Sequence, residues 1–168
     1  MGSQIVDNLV EKNAEYARSF DKGDLALPPA KKYLVVTCMD ARIDPAAAFG
    51  ISLGDAHVIR NAGASVKDAL RSIVISEQLL GTREILVVKH TGCGMLTFTN
   101  EDAHSIVKKN LGVAAADEIA GLDFLPFPDL ENAVRDDVGL LKKSAAVPND
   151  VVVTGWVYEV ETGKVRQV

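Results

Sequence analysis

The sequence predicts an α/β fold: a mostly parallel central β-sheet flanked by helices, with the last strands antiparallel at one edge and a helical arm at the N-terminus. Three observations predict it. Short runs of Val, Ile and Leu recur at 33–38 ("YLVVTC"), 56–59 ("AHVI") and 84–90 ("EILVVKH"), continuous in polarity as strands buried on both faces are. Helical patterns with recognisable caps alternate with these runs, an order that implies parallel strands joined by right-handed crossovers. Residues 150–168, "DVVVTGWVYEVETGKVRQV", read as a strand, a turn at Glu161–Lys164 and a short returning strand.

At the N-terminus, Ile5, Leu9, Ala14, Tyr16 and Ala17 form a loose helical stripe over residues 4–20, on a mostly polar segment suited to a surface helix or an arm. "DKGDLALPPAKK" at 21–32 carries Gly23 and the Pro28–Pro29 pair and is a linker into the core. After the first strand, Asp44 and Pro45 make an N-cap with proline at the first helical position, leading into "AAAFG". Ser65 caps a helix of about 66–80, in which Leu70, Ile73, Val74, Glu77 and Leu80 recur at helical spacing and Gly81 is the stop. Thr99 caps a helix of about 100–110, and "AADEIAGLDFLPFP" at 115–128 is expected to be irregular. Asp129 opens a helix to about 145, with Leu130, Val134, Val138 and Leu141 on one stripe. Residues 1–168 are expected to form a single domain, 1–31 as N-terminal helix and linker and 32–168 as the α/β core.

Composition narrows the function class. The 168 residues are 48% hydrophobic and 24% charged, with a formal net charge of −5 and no long basic run. That argues against nucleic acid or an anionic membrane surface as the partner. No apolar stretch approaches the ~20 residues of a membrane-spanning helix. The start, "MGSQIVDNLVEKNAEYARSF", lacks both a secretory apolar region and the hydroxyl residue of a myristoylation motif, so a cytoplasmic address is expected.

The residues that can carry chemistry gather at two predicted strand ends. Cys38 closes the first strand and His90 the third. Carboxyl ends of parallel strands share one edge of the sheet, where open α/β sheets bind their ligands. Cys93 follows three residues after His90 in "HTGCG", where Gly92 and Gly94 permit a tight turn. A free cysteine can simply be a small buried apolar residue. Here, however, both cysteines and one of the three histidines of the chain fall at these two ends. Two thiolates and an imidazole are a zinc ligand set, and three protein ligands leave one tetrahedral position open, as catalytic sites do. His57 lies inside a predicted strand and His104 on a helix, where structural or solvent-facing roles are expected. In "CMDAR", Cys38, Asp40 and Arg42 alternate, so on a chain that stays extended they face one side. Asp40 would then reach the metal or its bound water, with Arg42 holding the carboxylate in a bidentate pair. The plainer alternative is a surface ion pair. The turn after the first strand contains no glycine, which argues against a nucleotide pyrophosphate site.

C-x-D-x-R as "CMDAR", then "RNAG" at 60–63, then H-x-x-C-G as "HTGCG", in this order and spacing over about residues 32–96, resemble the β-class carbonic anhydrases. "CMDARID", "HVIRNAG" and "CGML" look most like a compact branch of that family, which is similar in turn to the carbonyl sulfide hydrolases. The resemblance implies that Cys38, His90 and Cys93 bind Zn2+, that Asp40 and Arg42 are the catalytic dyad, and that the Gly94 backbone N–H helps hold substrate. It implies two states of the site. In one, Arg42 holds Asp40 away and water occupies the fourth zinc position; in the other, Asp40 is the fourth ligand and the enzyme is off. It also implies a homodimer, or a dimer of dimers, with N-terminal helices wrapped on the partner. Plant-type members carry a substrate-contacting glutamine nine residues before the first cysteine, where this chain has Pro29.

The activity so implied is reversible hydration of carbon dioxide to bicarbonate and a proton by attack of zinc-bound hydroxide, with Asp40 accepting the hydroxide's hydrogen bond and Arg42 keeping Asp40 ionised. Thiolates donate more electron density than imidazoles, so activity is expected to rise through mildly alkaline pH. One alternative keeps the site and hydrolyses carbonyl sulfide to hydrogen sulfide and carbon dioxide. A non-enzymatic alternative closes the site with Asp40 and makes the chain a structural-zinc binding module.

Overall fold

Strands β1 (Tyr33–Cys38), β2 (Ala56–Asn61), β3 (Glu84–His90), β4 (Val152–Tyr158) and β5 (Val165–Gln167) form one sheet in the order β2-β1-β3-β4-β5. The structure is a computed structural model that describes residues 3–168. β1 pairs in parallel with β2 and β3, β3 pairs in parallel with β4, and β5 returns antiparallel to β4. Thr37 stands opposite Val88, so Cys38 and His90 end neighbouring parallel strands at the same edge of the sheet.

Helices α1 (Gln4–Arg18), α2 (Pro45–Phe49), α3 (Val66–Gln78), α4 (Asn100–Leu111), α5 (Val113–Glu118) and α6 (Leu130–Lys143) complete the chain. The caps expected from the sequence form, each accepting backbone N–H groups that the helix cannot pair itself. Asp44 accepts from Ala46 and Ala47, Ser65 from Asp68, and Asp129 from Asn132. Thr99 and Asp102 exchange hydrogen bonds as a capping box.

The strands' alternating side chains build two cores. Leu34, Val36, Ile85, Val87 and Val153 meet Ile73 of α3 and Leu141 of α6 on one face. Gly155 of β4 allows the close approach of α6, because a Cβ there would collide with Val134 and Val138. On the other face Val35, Val88, Cys38, Cys93, Met95 and Tyr158 cluster with Ile43, and Phe49 of α2 packs against them. This second face is thinly covered. Phe49, Leu86, Val88, Trp156 and Val165 line an apolar cavity, while α1 buries none of its own residues.

Three expectations need correction. β2 is not buried on both faces: it is an edge strand paired only with β1, and its side chains are half-buried or exposed. The 115–128 segment is not wholly irregular, since Val113–Glu118 forms a short helix, consistent with three consecutive alanines of high helix propensity. The chain does not stay extended after Cys38; it turns, with Ile43 N–H donating to the Asp40 carbonyl at 3.1 Å. Helix ends also fall one or two residues away from those expected, as fraying ends commonly do.

Glu77 is the outlier of the first core. It is 1% exposed on the inner face of α3, and neither carboxylate oxygen has a hydrogen-bond partner. Burial pushes its carboxyl up to about 7, opposed by Arg83 and reinforced by Asp150.

Candidate metal centre

The sheet brings Cys38 and His90 together, and the turn after β3 adds Cys93. Gly92 holds that turn with φ +59°, a left-handed conformation that glycine adopts without a Cβ penalty. Gly94 plays no such part: it begins a short 3-10 turn, Gly94–Leu96, with φ outside the left-handed region. A Cβ at Gly94 would meet nothing within 4 Å, so there is open space beside it.

The two sulfurs and a ring nitrogen of His90 lie within 4.8 Å of one another, and all three residues are buried. His90 Nδ1 donates to the Thr91 carbonyl at 2.8 Å, which leaves Nε2 as the lone-pair nitrogen. That Nε2 is buried and has no hydrogen-bond partner. An unpartnered lone pair beside two buried sulfurs is costly unless something electrophilic meets it, and the Cys2His set fits a divalent metal ion.

Of the two sulfurs, that of Cys38 is prepared for anionic character. The Cys93 thiol donates to the Cys38 sulfur; burial opposes ionisation, but His90 and the backbone N–H groups of Asp40 and Gly63 add to the stabilisation and hold the Cys38 thiol well below its usual value. Sharing with Cys38, and burial, push the Cys93 thiol up, while the Met95 N–H works in the other direction. Burial weighs against charge on the His90 ring, yet the Cys38 sulfur, the Thr91 carbonyl and Asp40 together raise it.

Asp40 and Arg42 form the next layer. Arg42 Nε reaches Asp40 Oδ1 at 2.9 Å and its Nη2 reaches Oδ2 at 2.7 Å, a bidentate pair. The Arg42 backbone N–H also donates to Oδ1 at 2.9 Å, so the carboxylate closes its own local turn. This turn, rather than strand alternation, aims Arg42 back at Asp40. Arg42 Nη2 is tied in addition to the Gly92 carbonyl at 2.9 Å. The Arg42 guanidinium beside Asp40 holds its carboxyl well below the usual carboxylate range. Asp40 Oδ2 stands 3.7 Å from His90 Nε2, next to the unpartnered lone pair.

The residues outside this site behave as expected. His57 Nδ1 shares a hydrogen with Ser76 Oγ at 2.7 Å, and His104 Nε2 donates to the Leu122 carbonyl at 3.0 Å. Arg60 opens the "RNAG" motif, but nothing in its spacing from the other site residues signals its contacts. It donates to the carbonyls of Cys38 at 3.0 Å and Asp40 at 2.8 Å and so clamps the backbone that carries both. Asn61, next in that motif, pairs with both backbone groups of Ser65 and frames the 62–64 turn.

Comparison with known proteins adds to this geometry. A family model described as carbonic anhydrase matches residues 33–121. The chain is 39% identical to "Beta-carbonic anhydrase 1" of Mycobacterium tuberculosis over 165 residues, covering 98% of each chain. It is 35% identical to a "Carbon disulfide hydrolase" of an Acidianus strain, with 99% of this chain and 90% of that protein covered. A crystal structure of carbonic anhydrase from Streptococcus mutans matches with a TM-score of 0.91 at 46% identity, over 100% of this chain and 99% of that one.

Proposed function

The chain belongs to the β-carbonic anhydrase family, and from that premise we propose that it catalyses the zinc-dependent, reversible hydration of carbon dioxide to bicarbonate and a proton. The observation that carries the proposal is the unpartnered His90 Nε2, which meets two buried sulfurs beside an Asp40 carboxylate gripped by Arg42. Cys38, His90 and Cys93 are the proposed ligands. Zinc, when bound, supplies the Lewis acidity that makes water a nucleophile near neutral pH, less strongly with two thiolates than with three imidazoles.

The chain's own residues do the rest. Arg42 keeps Asp40 ionised, so its oxygens remain hydrogen-bond acceptors in the working pH range. Asp40 takes the proton side of the nucleophile's hydrogen bond and turns the lone pair toward the carbon of the substrate. The tie from Arg42 to the Gly92 carbonyl keeps the pair from swinging. The Gly94 N–H is the proposed anchor of the substrate, at a position that no neighbouring side chain crowds. Both Asp40 oxygens are already engaged by Arg42, which favours Cys38, His90 and Cys93 over Asp40 as the residues that would hold the metal.

A second reading changes only the substrate. The similarity to a carbon disulfide hydrolase favours testing linear sulfur analogues of carbon dioxide, among which carbonyl sulfide differs from it by one atom. Stopped-flow carbon dioxide hydration and sulfide release from carbonyl sulfide, on the same zinc-replete preparation, rank the two. Hydration should dominate and rise through mildly alkaline pH; a flat profile, or faster sulfide release, would displace the first reading.

We further propose a homodimer, with a dimer of dimers as the larger assembly, a cytoplasmic setting, and 1–168 as one catalytic domain. The dimer is supported by the bare stripe of α1, where Ile5 is 80% and Leu9 66% exposed, and by the thinly covered second face of the sheet. No described helix is long and apolar enough to cross a membrane.

A further inference from the structure

We infer that Lys89, which is not in the proposed ligand set, is a positioning residue for the metal centre: it locks the Gly63–Ala64 turn, which packs between the end of the Cys38 strand and the segment after Cys93, and sets a buried positive charge at that turn. This rests on the metal role proposed for Cys38, His90 and Cys93.

A lysine is out of place in this strand. β3 is otherwise apolar through its centre, yet Lys89 is only 3% exposed. Lysine is almost never buried without partners. Here every ammonium proton has one: Asp137 Oδ2 at 2.8 Å, the Gly63 carbonyl at 2.8 Å and the Ala64 carbonyl at 3.2 Å. The Phe127 ring centroid lies 4.9 Å from the same nitrogen.

The two carbonyls belong to a strained turn. Gly63 has φ +73° and Ala64 φ +54°, and Ala64 is fully buried. A left-handed alanine is strained by its Cβ, so the turn needs an external hold. A Cβ on Gly63 would press into Met95 and Phe127, so this backbone is packed hard against the segment that follows Cys93. Asp137 secures the far side, accepting the Val66 N–H at 3.2 Å as well as the Lys89 ammonium.

The turn lies beside both sulfur-bearing segments. It follows Asn61, which stands opposite Cys38 in the sheet and accepts the Met39 N–H at 2.9 Å, and its Gly63, whose carbonyl Lys89 takes, packs on Met95 two residues after Cys93. The ammonium thus fixes the turn that flanks both proposed sulfur ligands, from a strand position next to His90. Hydrogen bonds and positive charge at a thiolate withdraw electron density from it. In a site with two thiolates that leaves the metal more electrophilic than the ligand set alone would, which is what activation of water requires.

The test uses the cobalt-substituted protein. Lys89→Met removes the charge at similar length, and Lys89→Met with Asp137→Asn avoids stranding the carboxylate. Three quantities are read: the thiolate-to-cobalt charge-transfer band, zinc affinity by chelator competition, and the pH midpoint of carbon dioxide hydration. The expected result is a band moved to lower energy, zinc held roughly 10-fold or more weakly, and an activity midpoint shifted to higher pH. Should the Lys89 variants fail to fold, Asp137→Asn carries the same expectation in smaller measure. A folded variant that loses thermal stability but keeps the wild-type band and pH midpoint overturns the inference and makes Lys89 a packing residue. A wild-type chain that takes up no cobalt overturns the metal-centre reading, and this inference with it.

Discussion

Asp40 has little freedom, because Arg42 engages both of its oxygens and the Arg42 backbone N–H engages one of them again. Asp40→Asn keeps the size and removes the charge, so Arg42 loses its partner and the nucleophile its acceptor. Carbon dioxide hydration should fall by roughly 10- to 100-fold, with zinc content by elemental analysis unchanged. Loss of zinc on this substitution would instead mark Asp40 as the closing ligand of a structural site. Glu77 bears on stability rather than chemistry. Its carboxyl titrates near 7 in the folded protein, against 4.5 for an ordinary glutamate, so the folded state binds the proton more tightly. The stability this contributes is fully present below about 4.5 and lost as pH rises through about 7. Glu77→Gln should therefore exceed the wild type in urea unfolding at about pH 8, by on the order of 1–3 kcal/mol, with the gap closing toward about pH 5. A gap that is the same at both pH values would show that Glu77 is not the titrating group.

At the scale of elements, the contact between α6 and β4 is set by one missing methyl. Gly155 lies under Val134 and Val138, and any Cβ must displace them. Gly155→Ala should destabilise by about 1–3 kcal/mol through overpacking, seen as a lower denaturant midpoint with an unchanged slope. Adding Val134→Ala should recover part of the loss; no recovery would mean that the strain lies in the strand itself. The edge position of β2 has the opposite character. Its half-exposed side chains follow from having a single neighbour, and its value to the site comes from its C-terminal end, where Arg60 and Asn61 brace the backbone of Cys38, Asp40 and Ser65.

For the whole molecule, the outstanding feature is a helix that touches little. α1 has an N-cap and an apolar stripe, yet none of its residues is buried. A 15-residue helix of this kind is marginal in water without packing. A second copy of the chain supplies that packing in the proposed homodimer. Each large apolar side chain buried there contributes about 1.5–3 kcal/mol, so Ile5→Asp with Leu9→Asp should weaken dimerisation by roughly 100-fold or more. Sedimentation velocity over a concentration series reads this directly. A double variant that sediments as the wild type does would remove α1 from the interface.

The sequence by itself determined the order of elements, the helix caps and the two strand ends where sulfur and imidazole meet. These are local properties: periodicity sets the element, a capping side chain bonds within three residues, and parallel strands bring their carboxyl ends to one edge. The tertiary structure decided what lies between distant segments. The turn that brings Arg42 onto Asp40 depends on a carboxylate closing on its own backbone, so strand alternation placed the right residues for the wrong reason. The burial of Lys89, its hold on Gly63 and Ala64, and the exposure of β2 follow from which segments pack together. Such contacts join residues about 25 positions apart for the lysine and its turn, a separation over which no periodic pattern in the chain carries information.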